Sequence, residues 1–325
     1  MGAEVSFRSA LNRALGDALE ADSSVFVMGE DVAYAGGSFG VTRGLLDRFG
    51  PTRIRDTPLS ENAIVGAAVG AALSGLRPVV EIMFMDFVTL AMDAIVNQAA
   101  KARFMFGGQF TVPLVIRAAH GGGISAGPQH SQCLEAWFTH VPGLKVVCPG
   151  SVEDAYGLLR AAIDDPNPVI FVENKALYGR KGVAPAVWET GKLGKAKIVR
   201  PGKDVTLVTY GATVAQGEAA ASQLMRGGIE VELIDLRSLQ PWDETSVLES
   251  LRRTHRLAVC HEAVTAFGIG AEIVARMLEL GFDEWDAPPV RIGAPFSPLP
   301  FAPNLEKQFL PSTEGIVEAL RGLLR

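Results

Sequence analysis

Short apolar runs alternate with helix-period stretches along most of the chain, the pattern of parallel strands buried on both faces and separated by helices. In the first part, runs at 25–28, 78–82, 112–117, 144–148 and 168–172 predict strands. Between them, Ser6 caps a helix whose Leu11, Leu15 and Leu19 share one side. Ser151 and Asp154 resemble a capping box for a helix reaching Ile163. One long helical pattern covers 87–106. Periodicity fails between about 175 and 203, where Gly, Pro and Lys concentrate, and 186–203 reads as a linker. The rhythm then restarts with strands at 205–210, 230–236, 257–261 and 290–292, and helices at 212–226, 243–253, 270–280 and 314–324. The expected fold is α/β with two domains, 1–185 and 204–325. Each is a mostly parallel sheet with helices on both faces.

The 325 residues suffice for both cores, and a hydrophobic content of 48% excludes a disordered chain. The net charge is −6, from 30 basic and 36 acidic residues, without a basic run. Neither a nucleic-acid footprint nor an anionic-membrane surface is expected. The longest uncharged stretch, 63–76, is too short for a bilayer. Its Gly66-xxx-Gly70 spacing suits a helix that another backbone approaches closely. No secretory leader is expected ahead of the pattern at Ser6, and Cys133, Cys148 and Cys260 lack metal spacing. A reducing, cytoplasmic setting is expected.

Candidate chemistry concentrates at two places. Glu61, in Thr57-Pro58-Leu59-Ser60-Glu61-Asn62, leads into a helix of small residues. An acid beside so much apolar surface must share a proton or a ligand's hydrogen-bonding atom. Gln129-His130-Ser131-Gln132 follows the glycine loop 120–127, which follows a strand. That loop contains Gly-x-Gly-x-x-Ala, a form able to cradle a dinucleotide pyrophosphate, but Pro128 spoils the strand–turn–helix geometry. His130 with Cys133 could be half of a metal site, though no second pair exists. Asp93 and Lys101 read as a polar helix face. Phe84 and Phe87 flank Asp86 at a strand-to-helix junction, where ligands gather in such sheets.

Several segments resemble one family in its order: Gly29-Glu30-Asp31-Val32, Asp56-Thr57-Pro58-Leu59-Ser60-Glu61, Asn97-Gln98-Ala99-Ala100-Lys101, Gln129-His130-Ser131-Gln132, Pro142-Gly143-Leu144-Lys145-Val146-Val147 and Ile234-Asp235-Leu236-Arg237. The chain resembles the beta subunit of thiamine-diphosphate-dependent 2-oxo acid dehydrogenases over nearly its whole length. The resemblance implies a transketolase-like pyrimidine-binding domain followed by a transketolase C-terminal domain. It implies that Glu61 bonds the aminopyrimidine ring nitrogen of thiamine diphosphate, whose thiazolium serves as an electron sink. It places Phe87 on the pyrimidine ring, with Leu59 and Met83 lining the pocket, and gives His130 a part in reductive acyl transfer to a lipoyl group. A potassium site would map onto Leu114, Ala162, Ile163, Asp165 and Asn167. Ala94 and Tyr156 depart from the family's usual residues.

The Gly-Asp-Gly and Asn-Asn elements that hold magnesium and diphosphate in such enzymes are missing. Gly16-Asp17-Ala18 lies inside a predicted helix instead. The resemblance therefore implies an alpha subunit that binds the magnesium, in an α2β2 heterotetramer, and a lipoyl-bearing dihydrolipoyl acyltransferase as acyl acceptor. The expected function is a pyruvate dehydrogenase type beta subunit. An acetoin dehydrogenase beta subunit is the alternative, supported by 81–87 and 103–108. Two other classes stay open: a nicotinamide-dependent dehydrogenase using the Gly121 loop, and a non-catalytic assembly protein of the same fold.

Overall fold

A computed structural model describes residues 4–325 and divides the chain into two units. The first takes the chain through His120 and then Trp137–Leu193; the second takes Gly121–Ala136 and Gly194–Arg325.

In the first unit six parallel strands lie in the order Lys145–Val147, Val169–Asn174, Val115–His120, Arg77–Ile82, Val25–Gly29 and Ile54–Asp56. The inner strands are buried along almost their whole length, which is why they read as unbroken apolar runs. The helix Phe7–Ala21 starts where Ser6 Oγ accepts from Ser9 N at 3.1 Å, and it buries Phe7, Leu11, Leu15 and Leu19. It packs on Val152–Asp164. There Ser151 Oγ accepts from Asp154 N (3.1 Å) and donates to Asp154 Oδ2 (2.7 Å). The cap is present, and the acidic side chain bonds its hydroxyl.

The pattern at 87–106 is not one regular helix. An α-turn at Met85–Val88 passes through 3₁₀ geometry at Thr89–Ala91 and π geometry at Ala94–Ala99 before α-helix resumes at Ala100–Met105. Apolar period alone does not register such changes of winding. An antiparallel pair, Glu4–Ser6 with Lys181–Val183, completes this unit.

The second unit's sheet runs Val290–Ala294, Leu257–Val264, Val205–Thr209, Val231–Asp235 and Lys197–Arg200. The first four are parallel and the last is antiparallel. Leu207, Leu224, Leu233, Ile316 and Leu320 form its core with the helices Thr213–Met225 and Thr313–Gly322. The edge strand Lys197–Arg200 falls within the stretch read as linker; it is too short, and too rich in basic ends, to show alternation. The expectation of two α/β domains, each mostly parallel and flanked by helices, is met.

Candidate active site

Strand ends build the site in the first unit. Val25–Gly29 delivers Glu30 to the carboxyl edge of the sheet, and the turn after Ile54–Asp56 delivers Glu61 as the first residue of the helix Glu61–Leu73. Thr57 N donates to Gly29 O at 3.0 Å, and Asp56 Oδ1 accepts from Ala33 N at 2.6 Å, tying the two turns together. The helix N-terminus favours negative charge at Glu61.

Glu30 is 4% exposed, and its Oε1 has no hydrogen-bond partner among the described residues. Burial holds its carboxyl above the ordinary value, and the negative charges of Glu61 and Asp31 add to this. The Ser60 backbone N–H bonded to Glu30 pulls the other way. Two neighbouring carboxyl groups, one of them dry, must hold a proton or meet a ligand's N–H. Sequence reading singled out Glu61 and passed over Glu30, although it stands in a quoted motif. The available signal was an acid directly following a fully apolar strand.

Phe87 and Met83 are half-buried where the strand Arg77–Ile82 gives way to the next helical turn, and Leu59 is 80% exposed. An aromatic chain backs Phe87. Its ring is 5.6 Å from Phe84, edge to face; Phe84 is 5.7 Å from Phe39, which stacks on Tyr178 at 4.7 Å. Beneath lies Arg117, 1% exposed, with Nε and Nη2 on Glu173 at 2.7 and 2.8 Å and Nη1 on Glu81 at 2.7 Å. Tyr178 donates to Glu173 at 2.8 Å. Burial pushes Glu81 up while Arg117 pulls it down. This network crosslinks three strands, and sequence reading missed it. Its sign was a lone charged residue in or directly after each of three apolar runs, Glu81, Arg117 and Glu173.

The oxygens expected to hold potassium accept from protein donors. Asp165 pairs with the Lys145 ammonium and accepts from Asn167 N at 2.9 Å. Asn167 Oδ1 accepts from Arg103 at 2.6 Å, Ile163 O from Arg77 at 2.8 Å, Leu114 O from Val169 N at 2.9 Å and Ala162 O from Asp165 N at 3.3 Å. Each backbone carbonyl oxygen accepts one such donor and keeps a second lone pair, so these contacts do not decide the potassium expectation, and no role is derived for it. Asp17, the one acid in the Gly16-Asp17-Ala18 stretch, lies on the helix Phe7–Ala21. It accepts from the Tyr156 hydroxyl at 2.9 Å and pairs with Arg13 at 3.6 Å, so it is no cradle for a diphosphate-bound metal.

His130 sits in the second unit, half-buried, its N–H on Gly127 O at 3.4 Å. The helix after it, Glu135–Thr139, has only five residues. Three backbone N–H groups of the preceding glycine loop, those of Gly122, Gly123 and Ser125, are taken by the carboxylates of Glu262 and Glu306 where a pyrophosphate would need them. The dinucleotide reading therefore loses its donors. A cavity of about 490 Å³ lies in this unit, lined in part by Gln129, Ser131, Glu262 and Leu299; Ser131 Oγ is buried there without a partner among the described residues.

A sheet edge carrying paired carboxyls in one α/β domain is followed along the chain by a second, mostly parallel α/β domain. The family model "Transketolase, pyrimidine binding domain" matches residues 3–181, and "Transketolase, C-terminal domain" matches residues 194–316. The chain is 46% identical over 322 residues to "Pyruvate dehydrogenase E1 component subunit beta-2, mitochondrial" of Oryza sativa subsp. japonica, covering 98% of this chain and 86% of that one. It is 45% identical over 336 residues to "Acetoin:2,6-dichlorophenolindophenol oxidoreductase subunit beta" of Bacillus subtilis (strain 168), covering 100% and 98%. Among solved structures, "Split gene transketolase, inactive beta4 tetramer" shares the fold, with a TM-score of 0.81, 21% identity and 98% coverage of each chain. The chain belongs to the transketolase-type family that includes the beta subunits of pyruvate and acetoin dehydrogenases.

Proposed function

We propose that this chain is the beta subunit of a pyruvate dehydrogenase type 2-oxo acid dehydrogenase, working with thiamine diphosphate. The observation that carries the reading is the Glu30–Glu61 pair, in which a dry carboxyl oxygen lacks a partner at the edge of a pyrimidine-binding domain. An aminopyrimidine bound at that edge would bring its polar ring atoms to this pair, with the ring nitrogen at Glu61. Glu61 holds the proton shared with the ring nitrogen, while Glu30, whose ionisation is opposed by burial and by the neighbouring charges, limits negative charge there. Phe87, Met83 and Leu59 bind and orient the ring, with Phe84 and Phe39 fixing the angle of Phe87. When bound, the cofactor supplies the electron sink for decarboxylation. His130 delivers a proton during acyl transfer to the lipoyl group of a dihydrolipoyl acyltransferase.

An alpha subunit in an α2β2 heterotetramer supplies the magnesium and diphosphate site that Asp17 does not. Two features support such a partner. A Cβ added at Gly66 or Gly70 would meet open space, so that face of the helix Glu61–Leu73 is free for close packing. Phe104 and Met105 are 89% and 71% exposed. No helix among the described residues is long and apolar enough to cross a membrane. Cys133, Cys148 and Cys260 form no disulfide, which supports a reducing, cytoplasmic setting.

The acetoin reading keeps the same residues, and the two relatives' identities do not separate them. Turnover of pyruvate, branched-chain 2-oxo acids and acetoin by the chain reconstituted with its alpha subunit tests the assignment. Pyruvate is expected to be preferred; preference for acetoin would replace the substrate. His130→Ala is expected to spare decarboxylation and depress lipoyl acylation, and equal loss of both would remove its role.

A further inference from the structure

The glycine loop ahead of His130 is a backbone nest closed by an acid from the far end of the chain. Glu306, on the helix Pro303–Phe309, is 4% exposed. Its Oε1 accepts from Gly123 N at 2.9 Å and Ser125 N at 3.2 Å; its Oε2 accepts from Ser125 N at 3.0 Å and from the Ser125 hydroxyl at 3.2 Å. Glu262, on the strand Leu257–Val264 of the same unit, accepts from Gly122 N at 2.5 Å. Two N–H groups of one loop converging on one carboxylate form an anion-binding concavity of the kind that otherwise receives phosphate.

The loop does not hold this shape for free. Ser125 has φ +56, a left-handed conformation that non-glycine residues avoid. A Cβ on Gly127 would lie 2.3 Å from the Phe301 ring, and one on Gly122 would lie 3.0 Å from Leu299. Residues 299–306 thus lie directly over the loop, and Glu306 makes the polar bonds that hold Ser125 in its turn.

We propose that Glu306 is a positioning residue for His130: its carboxylate fills the nest, fixes the 121–127 turn, and so sets where the histidine presents its ring. This rests on the acyl-transfer role of His130 given above. Among the described residues the Glu306 carboxylate bonds to the loop, through which it acts. The nest needs a carboxylate because both oxygens are used as acceptors. Glutamine keeps one acceptor and turns an N–H group toward the donors of Ser125.

The test uses the reconstituted complex with Glu306→Ala, Glu306→Gln and His130→Ala. Backbone amide exchange at Gly123 and Ser125 is followed alongside decarboxylation and lipoyl acylation, with and without sodium formate against sodium chloride at equal ionic strength. Glu306→Ala is expected to speed exchange at both amides and to lower acylation about tenfold or more, with decarboxylation nearly unchanged. Formate, entering the emptied nest, is expected to restore both readouts, and Glu306→Gln to fall between. Unchanged exchange, no recovery with formate, or a Gln variant equal to wild type would overturn the proposal. Where Glu306→Ala does not assemble, the Gln variant decides alone. Should His130→Ala leave acylation intact, the histidine's assignment falls, while the exchange and formate readouts still decide whether Glu306 holds the loop.

Discussion

Replacing Arg117 by Met would remove the hub beneath the aromatic chain while keeping much of its volume. Three charge-assisted bonds of 2.7–2.8 Å disappear, leaving Glu81 and Glu173 facing each other with almost no water. Breaking a buried ion pair by deleting one partner costs about 3–5 kcal/mol. For a domain of this size that is a fall in melting temperature of roughly 6–20 °C. The pH dependence gives the sharper signature. In wild type, burial already raises Glu81 above its unfolded value of about 4.3, and Arg117 is the largest influence opposing that rise. Without Arg117 the value climbs further. A carboxyl with a raised folded value contributes stability that is complete at low pH and lost as pH rises through that value. The deficit of Arg117→Met is therefore expected to be smaller at pH 5 than at pH 8, read by thermal melts of the tetramer at both. A deficit below 1 kcal/mol, or one that does not change with pH, would refute the assignment of a dry, charged crosslink.

Other expected outcomes follow from single contacts. Glu30→Gln removes a carboxyl whose raised value opposes ionisation, so the acid limb of the activity–pH profile is expected to move, while assembly stays intact; an unmoved profile would count against its coupling to Glu61. Ser151→Ala deletes the cap of Val152–Asp164 and is expected to cost about 0.5–2 kcal/mol in urea denaturation. Gly143→Ala would place a Cβ 2.0 Å from Ala100 O at φ +103, and soluble yield is expected to drop sharply.

Strands dry on both faces were legible because each is an apolar run with turns beside it; Val169–Asn174 and Val205–Thr209 differ from expectation by a residue or two. Short edge strands such as Ile54–Asp56, with two of three residues exposed, carry no such signal. Glu61 was legible from its setting at a helix start. Glu30, Arg117 and Glu306 were not, because their meaning lies in partners remote in sequence. Arg117 reads as the polar end of a strand until Glu81 and Glu173 are placed beside it. The glycine loop invited a phosphate, and only the fold brings Glu306 to take that place.

The account stands on Glu61 gripping the cofactor's pyrimidine while another polypeptide holds its diphosphate. Calorimetric titration of thiamine diphosphate with magnesium tests this, first into the lone chain, then into the chain with its alpha subunit, and last into the Glu61→Ala pair. Saturable binding is expected only with the alpha subunit present, and it is expected to weaken in the variant pair. Tight binding by the lone chain, or an unchanged affinity after Glu61→Ala, would contradict it.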